Sequence, residues 1–203
     1  MRISLHDAGK RFNREWIFRH FTFEFHPQGT YAITGPNGSG KSTLLQVVAG
    51  CTQHSEGEIT YSSTTKGGII DSPYKYLSLA APYLELVEEM TATEFLKMHF
   101  KFKSATDSIE IILRKTGLEK SAHKQIRYFS SGMKQRLKLG QAFFSATPVL
   151  LLDEPTTNLD AEGIELYSDL INSYSANRLI IVSSNEPGEY RFCENVIRIG
   201  DYK

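Results

Sequence analysis

Nine consecutive residues, Gly35-Pro36-Asn37-Gly38-Ser39-Gly40-Lys41-Ser42-Thr43, fit the pattern G-x-x-x-x-G-K-[ST], and their types predict phosphate chemistry. The glycines let the backbone turn inward so that several N–H groups point at one phosphate, with a helix N-terminus behind them. Lys41 is expected to reach the β and γ phosphates and the Ser42 hydroxyl to ligate Mg²⁺. A second pair of groups, Asp153-Glu154, closes the apolar run Val149 to Leu152 and precedes Pro155. A buried strand ending in two carboxylates presents them at the C-terminal edge of a parallel sheet, beside such a loop. Asp153 is then expected to hold Mg²⁺ through water, and Glu154 to polarise the attacking water as general base. Together the two clusters imply a bound nucleoside triphosphate whose terminal phosphate is open to hydrolysis.

The elements that must position these groups are legible around them. Thr30 to Thr34 reads as a strand entering the loop, and Lys41 to Ala49 as a helix leaving it, closed by Gly50. The first thirty residues alternate apolar and polar, most clearly from Trp16 to Phe25, which predicts antiparallel strands with one buried face. Gly57 to Tyr61 reads as a further short strand and Tyr76 to Ala80 as a core strand. Thr91-Ala92-Thr93-Glu94 and Asp107-Ser108-Ile109-Glu110 both read as helix capping boxes. After the second box, Ile109, Ile112 and Leu113 share one helical face, and Gly117 is placed to end it. Residues from about 82 to 128 thus form a helical insert. A helix from Ser131 to about Ser145 follows, so the helical subdomain spans about 82–145. Val149 to Asp153, Leu179 to Ser183 and Val196 to Ile199 read as parallel strands, the first apolar throughout as burial on both faces requires. The fold class is α/β: a P-loop NTPase core with a parallel sheet, an N-terminal antiparallel β subdomain and a helical insert, in one domain over residues 1–203.

Composition narrows the class further. The chain has 203 residues, with 23 basic and 23 acidic side chains that cancel, so no bulk charge points to nucleic acid or a lipid surface. Cys51 and Cys193 lie far apart without metal-ligand spacing and read as reduced packing residues. No apolar run approaches ~18 residues, and Met1 to Asp7 lacks the apolar core of a signal peptide. The expectation is a soluble, cytoplasmic protein.

At this point the chain resembles the nucleotide-binding subunit of an ABC (ATP-binding cassette) transporter, over nearly its whole length. Gly35 to Thr43 resembles the family's Walker A and Leu150 to Glu154 its Walker B with the catalytic glutamate. Phe129-Ser130-Ser131-Gly132-Met133, followed by Gln135-Arg136, resembles the signature, and Asn158-Leu159-Asp160 the D-loop. Phe12 stands where the family places an aromatic to stack on adenine, although a core-facing strand residue is the competing reading. The resemblance implies that two cassettes face each other, as a homodimer or with a different cassette. Each ATP then lies between one subunit's Walker A and the other's signature, with Ser130, Gly132 and Asp160 facing the partner's nucleotide. It implies ATP and Mg²⁺ as ligands, and a separate integral membrane permease contacted near Tyr83 to Met90. It also implies a place at the inner face of the cell membrane.

The chain departs from that pattern at three places. The usual signature L-S-G-G-Q is F-S-S-G-M here; the expected glutamine after the strand ending at Ala80 is replaced by Ala81-Pro82-Tyr83; and Asn185 stands where a switch histidine is expected, with Ser184 as the alternative. Asparagine donates a hydrogen bond but carries no proton or charge. The groups that bind ATP, and the base Glu154, are intact. The expectation is therefore tight binding with slow hydrolysis, in which Asn185 retains a catalytic role. Two other readings are a soluble ABC-type ATPase serving as an assembly or regulatory module, and a small-molecule kinase.

Overall fold

The computed structural model describes residues 1–63 and 67–203. In chain order the elements are β1 (Arg2–Phe12), β2 (Glu15–Phe25), β3 (Thr30–Thr34), α1 (Lys41–Val48), β4 (Glu56–Ser62) and β5 (Leu77–Ala80). Then follow α2 (Ala92–Phe102), α3 (Ile109–Lys115), α4 (Ser131–Phe143), β6 (Val149–Asp153), α5 (Ala161–Tyr174), β7 (Leu179–Ser183), α6 (Pro187–Tyr190) and β8 (Asn195–Arg198). Every strand expected from patterning is present within a residue or two. The last helix of the insert stops at Phe143 rather than Ser145; there the chain pairs with residues 104–106 instead, the Ala146 N–H donating to the Ser104 carbonyl at 2.8 Å and the Thr106 N–H to the Phe144 carbonyl at 2.9 Å.

Two sheets form. β2, β1 and β4 pair antiparallel in that order, and β5-β6-β7-β3-β8 form a second sheet that is parallel throughout. Strands of β6 and β7 are buried at every position, and the period-2 pleat sends alternate side chains to opposite sides. Leu150, Leu152, Ile180 and Val182 join a core with Phe143, Phe144 and Tyr167 of the helical side. Val149, Leu151, Leu179 and Ile181 join a second core with α1 and with Ile3, Phe18, Phe21 and Phe25 of the antiparallel sheet. The parallel sheet is thus the middle layer of three.

In the antiparallel sheet, β1 bulges between Leu5 and Ala8. There Asp7 adopts a left-handed backbone, as does His20 across from it, and their side chains meet at 2.7 Å. Gly57, opposite the bulge, has φ +78, and a Cβ there would stand 2.2 Å from the Asp7 carbonyl oxygen. Only glycine fits this approach.

The helical insert needs two corrections. Residues 82–91 carry no helix; the insert's helices begin at Ala92. The capping box at Thr91–Glu94 is fully formed, but at α3 the cap is Ser108, whose hydroxyl accepts from the Ile111 N–H at 3.4 Å. Asp107, expected to start that box, instead accepts from the Tyr174 hydroxyl at 3.3 Å and faces Lys115. Arg178 closes the other end of the insert: its buried guanidinium donates to the Phe143 carbonyl at 2.9 Å and to the hydroxyls of Ser78 and Thr147, both at 2.9 Å. That arrangement places a cation on the last carbonyls of α4, where the helix dipole favours one. Of the two cysteines, Cys193 is half-buried as a packing residue, whereas Cys51 lies exposed after α1.

Candidate functional site

The phosphate loop leaves β3 and enters α1 through Gly40, which has φ +100. A Cβ at Gly40 would meet Ile17 of β2 at 2.3 Å, so the antiparallel sheet presses directly on the loop. Lys41 is buried, and its ammonium donates to the carbonyls of Gly35 at 2.8 Å and Pro36 at 3.3 Å. A hollow of about 210 Å³ opens in front of the loop, lined by Ile17, Asn37 to Thr43 and Glu154. The two clusters separated by more than a hundred residues in sequence therefore share one cavity.

Asp153 ends β6 and is 1% exposed. Neither carboxylate oxygen has a hydrogen-bond partner among the described residues. The hydroxyls of Ser42 and Ser183 stand close enough to favour the ionised form, without geometry good enough to count as hydrogen bonds. Burial is the largest influence and raises its pKa; Glu154 adds to the rise, while the two hydroxyls and Lys41 oppose it. Buried polar groups are ordinarily paired. A carboxylate left open beside a serine hydroxyl and a phosphate loop is the donor set a hard divalent cation requires, so the residues fit Mg²⁺.

Glu154 follows in a left-handed conformation, φ +40, which is uncommon for a residue with a Cβ. Its N–H donates to the Ser183 carbonyl at 2.9 Å, and its carboxylate accepts from the Thr157 hydroxyl at 3.5 Å. The twist turns the side chain out of the sheet and into the hollow. Asn185 reaches the same loop from the end of β7: its Oδ1 accepts from the Gly35 N–H at 3.2 Å, and its Nδ2 donates to Asn37 Oδ1 at 3.1 Å. Ser184, the alternative, is buried and spends its Oγ accepting from the Glu186 N–H at 2.9 Å.

Ser130, Gly132 and Asp160 gather elsewhere, at the start of α4. Ser130 caps that helix, accepting from the Met133 N–H at 3.2 Å. A Cβ on Gly132 would sit 3.0 Å from the Asn158 carbonyl, so the signature-like turn packs on the D-loop-like turn. Asp160 caps α5 through the Gly163 N–H at 2.9 Å and accepts from Arg136 at 2.9 Å. None of these three residues lines the hollow. Phe12 does not line it either; it is 50% exposed at the tip of the β1–β2 hairpin, with the Lys10 ammonium 4.7 Å from its ring centre. That position decides against the core-facing reading.

Two residues that the sequence offered only by resemblance make contacts at the site. Gln135 donates to the Pro155 carbonyl at 2.8 Å and ties α4 to the turn after Glu154. Tyr83, where a glutamine is expected, has a partly exposed ring whose hydroxyl turns toward Gln46 and Asp153. Burial first, and then the Asp153 charge, push that phenol up to about 12. The neutral phenol thus stands at the carboxylate.

The ABC transporter family profile matches residues 18–157, over two thirds of the chain. The chain belongs to the ABC transporter family. Among ABC transporter relatives it is 31% identical over 186 residues to YybJ of Bacillus subtilis, an uncharacterised ABC transporter ATP-binding protein, covering 90% of this chain and 85% of that one. It is 27% identical over 184 residues to the cytochrome c biogenesis ATP-binding export protein CcmA of Haemophilus influenzae, covering 89% and 87%. The solved dimeric cassette MJ0796 shares its fold with a TM-score of 0.81 at 22% identity, covering 98% of this chain and 95% of that one. The chain is an ATP-binding ABC subunit and an ATPase. Among the described residues, no helix is long and apolar enough to cross a membrane.

Proposed function

We propose that this chain works as one cassette over residues 1–203, closing on Mg-ATP and hydrolysing it to move a separate integral membrane permease. The observation that carries the site assignment is the buried, unpartnered carboxylate of Asp153 next to Ser42 and the loop. Ser42 and Asp153 would hold Mg²⁺, which when bound neutralises phosphate charge. Lys41 moves from the loop carbonyls to the β and γ phosphates, and the loop N–H groups from Gly38 to Thr43 hold them. Phe12 offers an exposed ring for the base. Glu154 takes the proton of the attacking water from its place in the hollow. Asn185, fixed on Gly35 and Asn37, donates to a phosphate oxygen but cannot supply charge. Turnover is accordingly slow relative to binding.

Ser130, Gly132 and Asp160 serve a second cassette's nucleotide, so the working unit is a homodimer or a pair with another cassette. The permease contact lies along residues 83–90, and the complex sits at the cytoplasmic face of the membrane. Lys41→Ala is expected to abolish ATP binding, since it removes the side-chain charge that reaches the phosphates. Glu154→Gln is expected to bind ATP like the parent and hydrolyse it about 10²–10⁴-fold more slowly. Equal turnover in Glu154→Gln and the parent would remove Glu154 from the mechanism.

A further inference from the structure

Glu189 lies in the short helix α6, 35 positions after Glu154 and four after Asn185. It is 3% exposed. A carboxylate is rarely buried this deeply unless its oxygens are paired. Its Oε1 accepts from the Thr156 N–H at 2.7 Å and also from the Thr156 hydroxyl. Its own carbonyl accepts from the buried Tyr167 hydroxyl of α5 at 2.7 Å, so the short helix is anchored from behind.

Thr156 belongs to the turn that begins at Glu154, whose carbonyl accepts from the Thr157 N–H at 3.1 Å. The same turn receives Gln135 of α4 on the Pro155 carbonyl. Glu154 itself is held at φ +40, a conformation that persists only where surrounding contacts over-determine it. Asn185, two residues before α6, is bonded to the phosphate loop. One buried carboxylate therefore ties the turn carrying Glu154 to the segment carrying Asn185. The turn carrying Glu154 is anchored by it at Thr156, while Asn185 is fixed by its own two bonds to the loop.

We propose that Glu189 is a positioning residue for hydrolysis, locking the Thr156 turn so that Glu154 stays aimed into the hollow in register with Asn185. This rests on the reading of Glu154 as the base. Glu189→Ala removes both acceptor contacts and is expected to lower kcat about 10- to 100-fold, the loss that a displacement near 1 Å produces. KM for ATP and the affinity for ATP stay within about threefold. Glu189→Gln keeps a carbonyl oxygen that accepts the same two hydrogen bonds, and is expected to restore most of kcat.

The deciding measurement is a double-mutant cycle in single-turnover hydrolysis with the full-length protein. If Glu189 acts through Glu154, adding Glu189→Ala to Glu154→Gln costs little beyond Glu154→Gln alone. A full multiplicative loss, or a Glu189→Ala protein with parental kcat, overturns the proposal. Thr156→Ala, which removes only the hydroxyl contact, covers the case in which Glu189→Ala fails to fold. A several-fold fall in its kcat at unchanged ATP affinity supports the tether, and an unchanged kcat overturns it. Failure of the underlying reading looks different: Glu154→Gln alone would then turn over like the parent.

Discussion

Asp153 poses an energetic problem that binding solves. A carboxylate buried without partners costs free energy in its ionised form, and burial raises its pKa above the ordinary 3.8. Because the folded value is the higher one, the stability this group contributes is present at low pH and is lost as pH rises through the raised value. A divalent cation reverses that sign, since it binds the ionised form. The Mg²⁺-dependent part of the melting-temperature gain in the presence of ATP is therefore expected to shrink as pH falls from neutral toward the raised value of Asp153. Asp153→Asn should abolish that pH-dependent gain; equal Mg²⁺ gains in parent and variant across the range would take Asp153 out of the metal site. Asn185 gives a second test. Its two loop contacts, worth about 1 kcal/mol each, are lost in Asn185→Ala, so ATP binding should weaken several-fold and hydrolysis slow further. A brisk parental turnover that Asn185→Ala leaves untouched would contradict the assigned role. At this scale the legible residues were those whose chemistry is set by local spacing: the loop from Gly35 to Thr43 and the Asp153-Glu154 pair. Glu189, and the contact that Gln135 makes, were not legible, because their partners Thr156 and Pro155 lie 33 and 20 positions away, and such pairings leave no local pattern.

The elements follow the same division. Strands declared themselves through period-2 alternation or unbroken apolar runs, and the cap at Thr91 through its reciprocal glutamate. At α3 two adjacent capping residues competed, and the tertiary contact of Asp107 with Tyr174 left Ser108 as the cap. Polar contacts that the sequence hides also tie the insert's helices to one another. His99 of α2 makes one: Ser145 gives its hydroxyl proton to the Gln141 carbonyl, so the His99 Nε2–H donates to Ser145 Oγ at 3.0 Å. Burial, the largest cause, and the Lys103 charge push the imidazole down from 6.5 to about 4. Its folded value lies below the unfolded one, so its contribution is intact above about pH 6.5 and lost as pH falls toward 4. Thermal melts across that window should show stability declining with acid, and His99→Gln should flatten that slope. An identical slope in the variant would place the acid sensitivity elsewhere.

For the whole molecule, the decisive feature is that two clusters of equal chemical character do not meet. The hollow gathers Lys41, Ser42 and Glu154, while the start of α4 gathers Ser130, Gly132 and Asp160 around the capped helix end. A helix N-terminus offers N–H donors and a positive dipole end to an anion, and in one copy that end lies outside the phosphate hollow. In the proposed pairing, a second copy turned about a two-fold axis would supply each hollow with the other's α4, and such closed pairing would use both clusters twice. Met133 and Ser131 replace the usual amide and glycine, which tests whether this chain can pair with itself. The Glu154→Gln protein, which keeps ATP intact long enough to observe, should rise from 22.9 kDa to twice that mass by light scattering on a sizing column when Mg-ATP is added. The dimer should dissolve when nucleotide is removed, because in the proposed pairing ATP is itself the bridge and its binding energy would support the closed state. A protein that binds ATP and stays monomeric would show that Phe129 to Met133 cannot close on a second copy. The partner would then be a cassette with a different signature, and the asymmetry would reside in which of the two sites hydrolyses.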